Sequence, residues 1–167
     1  MLFRSANPTF TGTLLGAVNG DTFTESFTTT AVLASPAGTY PIAPSATGTN
    51  LINYAVAATN GTLTVTPAST AASITWAPAA LTYGTALGGS QLNASSTIAG
   101  SFAYTPTTGA ILPAGTQTLS AVFTPTDLVN YAPQTVTAAL TVNKATLTLT
   151  ANSTSRPYNT ANPTFTG

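Results

Sequence analysis

Asp21 and Glu25 are the closest carboxylates in a chain whose ionisable acids are Asp21, Glu25 and Asp127 and whose bases are Arg4, Lys144 and Arg156. Two carboxyl groups that flank a glycosidic bond can work as acid and base, or acid and nucleophile, when they stand ~5 to 9.5 Å apart. Four residues of extended chain at about 3.3 Å each hold the two backbones roughly 13 Å apart. A turn at Gly20 would shorten that span, but the sequence has no histidine or cysteine to complete a catalytic group. Calcium asks for six or more oxygens, usually several of them carboxylate, so the pair reads as a solvated turn. No catalytic residue, metal ligand or cofactor is expected.

Aromatic rings offer a second chemistry, because exposed rings stack on sugars. Trp76, Tyr83, Tyr104 and Tyr131 are the candidates. Trp76 shares the strand parity of Ile74, and Tyr54 and Tyr131 hold equivalent places where a tyrosine of this fold class closes a corner, so core and corner roles come first. Tyr83 and Tyr104 remain as candidate glycan contacts. Lys144, the sole lysine, stands at a repeat junction and is a poor start for an intramolecular isopeptide bond. Thr-x-Thr ladders at strand spacing could make an ice-binding face, yet any twisted sandwich with Thr on its wet side carries the same letters.

What must position these residues is a chain with little charge. Three basic and three acidic residues give zero net charge. Neutralising a run of phosphates needs many more cations, which excludes nucleic acid and an electrostatic hold on anionic lipid. The apolar runs are too short to span a bilayer, so no membrane insertion is expected. Met1-Leu2-Phe3-Arg4 lacks a signal peptide's apolar segment; an export signal and an anchor are expected outside this sequence. Thr, Ala, Ser, Asn, Gly and Pro favour strands and turns. The absence of cysteine leaves stability to packed strands and neighbouring repeats.

Two nested periods organise the chain. Ala6-Asn7-Pro8-Thr9-Phe10-Thr11-Gly12 returns letter for letter 155 residues on, from Asn7 to Asn162. A shorter spacing of 77 residues carries Pro36-Ala37-Gly38-Thr39 to Pro113, Asn53-Tyr54 to Asn130-Tyr131, and Leu63-Thr64-Val65 to Leu140. The chain therefore divides into residues 1–66, 67–143 and 144–167, the last being the opening of a third module. With Ala161 laid on Ala6, Arg156-Pro157-Tyr158-Asn159-Thr160 falls on Met1-Leu2-Phe3-Arg4-Ser5, so the first module is expected to lack the strand that the tail carries.

Alternation places the strands. Phe27, Thr29 and Ala31 share a face; Tyr40 and Ile42 follow the Pro36-Ala37-Gly38 turn; Asn60-Gly61 predicts a hairpin pairing Tyr54 and Val56 with Leu63 and Val65. In residues 67–143, Ile74 with Trp76, Leu92 with Ala94, Phe102 with Tyr104, Leu119 to Phe123 and Val136 to Val142 give five more, and Pro125 ends the fourth. In the tail, Leu147 and Leu149 are expected to face inward from an opening strand. Several short strands with turns between them predict an all-β fold: tandem immunoglobulin-like antiparallel β-sandwich modules, with a partial third module at the C-terminus.

These landmarks resemble two families of bacterial surface repeat. Arg156-Pro157-Tyr158 with Asn162-Pro163-Thr164-Phe165, Val18-Asn19-Gly20-Asp21-Thr22, Ser35-Pro36-Ala37-Gly38-Thr39-Tyr40-Pro41-Ile42 and Gly61-Thr62-Leu63-Thr64-Val65 are similar to MBG repeat domains. Ile74-Thr75-Trp76, Tyr83-Gly84-Thr85, Leu112-Pro113-Ala114-Gly115, Phe123-Thr124-Pro125 and Asn130-Tyr131 are similar to bacterial Ig-like repeats. Asn159 departs from the MBG pattern, which has Gly there, but Asn tolerates positive φ. The resemblance implies a non-enzymatic tandem stalk in a large secreted or surface-anchored bacterial protein, adhesin-like and extracellular.

The expected role is thus a structural spacer whose partners are neighbouring repeats of the same chain, with a glycan or a surface protein as the distal ligand. Carbohydrate binding through Tyr83 and Tyr104 is the second reading. A third concerns assembly: the place of the missing first strand invites a donor, and the strand that begins at Lys144 and ends at Ser155 is the matching piece, so head-to-tail donation between chains is a further expectation.

Overall fold

A computed structural model describes residues 2–165 of the chain. Its regular structure is strand, apart from two single turns of 3-10 helix at Leu51–Asn53 and Ala71–Ser73. The fold is all-β with several sheets, in keeping with a β-sandwich.

In the first repeat, β1 (Thr24–Thr29), β2 (Gly38–Thr47) and β3 (Gly61–Val65) make one antiparallel sheet in the order β1-β2-β3. Period two sets its faces: Tyr40, Ile42, Pro44 and Ala46 of β2 are half-buried while their neighbours are exposed. Leu63 and Val65 of β3 are buried. The hairpin expected at Asn60-Gly61 does not form. β3 runs along the first half of β2, with Tyr40 opposite Leu63, and residues 54–60 lie outside any ladder. A two-stranded hairpin is marginal by itself, and the cross-strand pairs that β2 offers outweigh the local turn signal.

The second repeat is fuller. β4 (Ala68–Ser69), β5 (Ile74–Thr75), β6 (Leu81–Thr82), β7 (Ser95–Ser96), β8 (Gly100–Thr105), β9 (Gly115–Pro125), β10 (Tyr131–Ala132) and β11 (Gln134–Asn143) follow in order. Four of them form the sheet β6-β11-β9-β8, and the pairs β5-β7 and β4-β10 stand beside it. β9 ends at Pro125, as a residue without an N–H should make it do. Leu92 and Ala94, expected in a strand, lie in the turn before β7. β4 with β10 and β6 with β11 pair in parallel, so the sheets are not antiparallel throughout.

Leu119, Ala121, Phe123 and Leu140 are wholly buried and fix the core against this sheet. Leu81, Leu87 and Val142 join Leu119 and Leu140, and Trp76, Leu92 and Leu112 pack onto them. Trp76 donates its indole N–H to the Gln91 carbonyl at 2.8 Å, and the buried Gln91 side chain donates to Ala79 O at 3.0 Å. These two polar groups of the second repeat's core are thus paired, as burial requires, whereas the Asn7 side-chain oxygen in the first repeat is buried without a partner.

Residues 144–165 join no ladder. Leu147 and Leu149, expected to face inward, are 94 % and 96 % exposed. The reason is that no sheet of the described chain lies beside them to bury against.

Candidate functional site

Apart from single turns, the two repeats are organised around one joint. Leu2 forms a parallel bridge with Thr66, Phe3 N–H donates to Thr66 O at 2.8 Å, and Ser5 N–H closes the turn on Leu2 O at 3.1 Å. The third residue of this turn, Arg4, takes φ 61°, the left-handed conformation a type II turn demands there. The turn presents Phe3, which is buried and meets Tyr131 of the second repeat edge-on, ring centroids 5.6 Å apart at 85°. Arg4 lays its guanidinium 5.2 Å from the Phe3 ring centre on the outer side.

The second repeat answers with Asn130. Its side-chain oxygen accepts from Ala37 N–H at 2.8 Å, and its backbone oxygen accepts from Ala68 N–H at 2.8 Å. Asn130 is held in turn by Asp127, to which it donates its side-chain amide at 2.7 Å and its backbone N–H at 3.1 Å. Those bonds, the Asn130 side chain first, keep the Asp127 carboxyl below the usual 3.8. Just beyond Ala68, Thr70 is wholly buried and donates to Ala132 O at 3.2 Å.

The joint is polar in direction. In the second repeat, Pro125 and the Tyr131 pair mark one end of the sheet, while Gly115 and Val142 mark the other. The chain enters at the Tyr131 end, through β4, and leaves at the Val142 end. In the first repeat, Gly38 and Val65 mark the exit end, and Phe3 and Ala37 lie there. The exit end of one repeat therefore seats on the entrance end of the next.

Among the described residues the same turn occurs three times. Tyr83 N–H donates to Asn143 O at 2.8 Å and Thr85 N–H to Thr82 O at 3.0 Å, with Gly84 at φ 96°. Thr160 N–H reaches Pro157 O at 3.4 Å, with Asn159 at φ 61°. Phe3-Arg4-Ser5, Tyr83-Gly84-Thr85 and Tyr158-Asn159-Thr160 are one device. Residues 1–64 match the MBG domain (YGX type). No curated protein and no solved structure matches the chain. The letters Tyr-Gly-X stand literally at Tyr83 of the second repeat, while the MBG-matched repeat carries Phe3-Arg4 in the same bonds.

A second feature lies beside the MBG-matched sheet. The β2–β3 ladder stops at Ile42 with Gly61; its counterpart, β9–β11, passes the equivalent pair of Leu119 with Ala138 and continues to Phe123 with Gln134. Where those further pairs are missing, an open groove of about 610 Å³ runs past Phe27, Ile42, Pro44, Ala46, Tyr54 and Val56. The repeated stretch borders it: Asn7 donates its side-chain amide to Ala31 O at 2.7 Å, and Gly12 lies so close to Phe27 that a Cβ would stand 2.5 Å from the ring. A side chain at that position would have to push the Phe27 ring aside.

The residues singled out for chemistry are not brought together. Asp21 accepts from the Tyr54 hydroxyl at 2.7 Å and from the Asn50 amide at 2.6 Å. These two bonds, Tyr54 first, lower its pKa below 3.8. Glu25 lies along β1 and makes no pair with Asp21. Tyr54 also bridges Val18 through its hydroxyl at 3.2 Å and meets Phe23 edge-on at 5.0 Å, which is a corner role. Tyr104 is half-buried, with its ring centre 5.5 Å from that of Trp76 and 6.1 Å from that of Phe102. Tyr83 is 53 % exposed and contacts no other ring among the described residues. Lys144 is exposed at the start of the tail. Phe3 was the joint residue that motif reading passed over; Asn130 was marked, with Tyr131, by its recurrence at the 77-residue spacing.

Proposed function

We propose that the chain is a non-enzymatic structural segment, a spacer of stacked β repeats in a surface or secreted protein that holds a distal binding domain at a distance. The observation that carries this reading is the joint. It joins unlike ends, Phe3 and Ala37 on one repeat against Tyr131 and Asn130 on the next. A contact between unlike ends generates a line of units when its rotation does not close, and each unit adds the length of its sheet. β9 and β11 pair over nine residues, roughly 30 Å at about 3.3 Å per residue. The MBG match over residues 1–64 agrees with a repeat architecture. The second repeat, with the same turn and the same joint elements, is read as a diverged copy of the same domain.

A spacer is useful only if its joints resist bending. Here Asn130 makes bonds to both Ala37 and Ala68, so neither a swing nor a twist about residues 66–68 leaves both intact. Small-angle scattering on the variant Leu147→Asp/Leu149→Asp, which removes only exposed apolar groups from the tail, reads this directly. Two bodies at one fixed separation are expected. A broad distribution of separations would remove the spacer reading.

A further inference from the structure

The ladders of the two repeats match pair by pair. Thr24 pairs with Thr47 and Tyr40 with Leu63 in the first repeat; Ser101 pairs with Thr124 and Gln117 with Leu140 in the second, each 77 residues further on. At that spacing Tyr54 corresponds to Tyr131, Asn50 to Asp127 and Asp21 to Ile98. In the first repeat these three residues close a corner: the Asp21 carboxylate accepts from the Tyr54 hydroxyl at 2.7 Å and from the Asn50 amide at 2.6 Å. In the second repeat the central carboxylate is replaced by Ile98, and the amide that donated to it is replaced by the Asp127 carboxylate. Phe3 holds the Tyr131 ring edge-on, but the Tyr131 hydroxyl has no hydrogen-bond partner among the described residues.

The corner that is closed in the first repeat is open in the second. Thr97, Ile98, Ala99, Thr126, Asp127 and Tyr131 line a cavity of about 460 Å³, a size in the ~300–1,000 Å³ range of small-ligand sites. All six residues belong to the second repeat. Asp127 Oδ1 accepts the Val129 and Asn130 N–H groups, both at 3.1 Å, while Oδ2 accepts only the Asn130 side-chain amide at 2.7 Å. A carboxylate oxygen has two lone pairs, so Oδ2 keeps one free.

The cavity thus holds a phenol that lacks an acceptor and a carboxylate with room for a donor. One group that joins them must accept from Tyr131 and donate to Asp127. A hydroxyl does both. An anion would be repelled by Asp127, and an ammonium would leave the phenol proton without an acceptor. We propose that this cavity is a saccharide-binding site, in which a sugar hydroxyl takes the place that the Asp21 carboxylate holds in the first repeat. Thr97 and Thr126 offer further hydroxyls to the same ligand, and the half-buried Ile98 gives an apolar wall to the C–H groups of a sugar ring. The site is separate from Tyr83 and Tyr104, neither of which lines it.

This inference goes beyond the spacer reading and does not depend on it. The test is a titration of the full chain with the methyl glycosides of glucose, galactose, mannose and N-acetylglucosamine and with linear oligosaccharides of the same sugars, followed by amide resonances. At least one sugar is expected to shift Ile98, Thr126 and Asp127 and to leave Asp21 and Asn50 in place. Affinity that rises with chain length identifies a glycan chain as the ligand; equal affinity identifies a free sugar. Tyr131→Phe keeps the ring against Phe3 and is expected to weaken binding several-fold, as loss of one hydrogen bond should. Ile98→Asp/Asp127→Asn restores the closed corner of the first repeat and is expected to abolish binding with the fold kept. No shift with any of these sugars at its solubility limit, shifts confined to Tyr83 or Tyr104, or affinity that Tyr131→Phe leaves unchanged would each overturn the proposal. In any of those cases a fixed separation in scattering leaves the spacer reading standing.

Discussion

At the scale of single residues, the joint depends on an amide and a turn. Asn130 spans two chain segments, and its loss leaves the Ala37 and Ala68 bonds without their organising side chain. Asn130→Ala should cost about 1 kcal/mol at the joint, leave both sheets folded, and speed hydrogen exchange at the Ala37 amide while the β9 amides keep their protection. Arg4 presents a different balance. Its left-handed φ costs roughly 1–2 kcal/mol for a side chain with a Cβ, and its position over Phe3 returns only about 0.5–1 kcal/mol at an exposed site. Arg4→Gly should therefore raise the melting temperature of the first repeat by a few degrees. The acids give a pH response. Asp21 and Asp127 have depressed folded values, so their contribution is present above the unfolded value near 3.8 and is lost as pH falls below it through the folded value. Asp127 orients Asn130, so joint resonances should shift together with Asp127 below pH 3.8 and stay level between pH 5 and 8; a joint that responds in the neutral range would contradict this.

At the scale of elements, the two ladders differ by what packs beside them. β11 is held along its whole length and buries Leu140 and Val142, whereas residues 56–60 have no strand partner. Phe123→Ala should cost about 3–5 kcal/mol in denaturant unfolding of the second repeat, because it empties a fully buried site. Ala46, its counterpart in the first repeat, is too small to fill the same space. The strands themselves were legible: Thr-rich alternation located β1, β2, β8, β9 and β11, and Pro125 placed the end of β9. What was not legible came from pairing. Asn60-Gly61 carries a strong hairpin signal, yet β3 takes β2 as its partner, since turn chemistry is local and ladder choice depends on a strand twenty residues away. Leu147 and Leu149 likewise carry a strand pattern, and the pattern is silent about whether a sheet lies within reach. Trp76 was read correctly from its parity with Ile74, because an apolar face is a property of one strand. The joint was half legible: repetition marked Asn130 and Tyr131, but the partner Phe3 could not be found until the turn around Arg4 showed itself equal to the turn around Gly84.

At the scale of the whole molecule, the proposed function lies in the way units meet. The sequence has few groups that could perform a reaction, and the bond from Ala37 N–H to the Asn130 side-chain oxygen ties one repeat to the next. The central claim is that the repeats form a stiff, polar line, and the separation of the two sheets tests it most directly. Spin labels at Thr28 of β1 and Thr137 of β11, read by pulsed electron resonance in the Leu147→Asp/Leu149→Asp background, should give one narrow distance distribution that broadens on Asn130→Ala. A distribution already broad before that substitution, or one that Asn130→Ala leaves unchanged, would contradict the account.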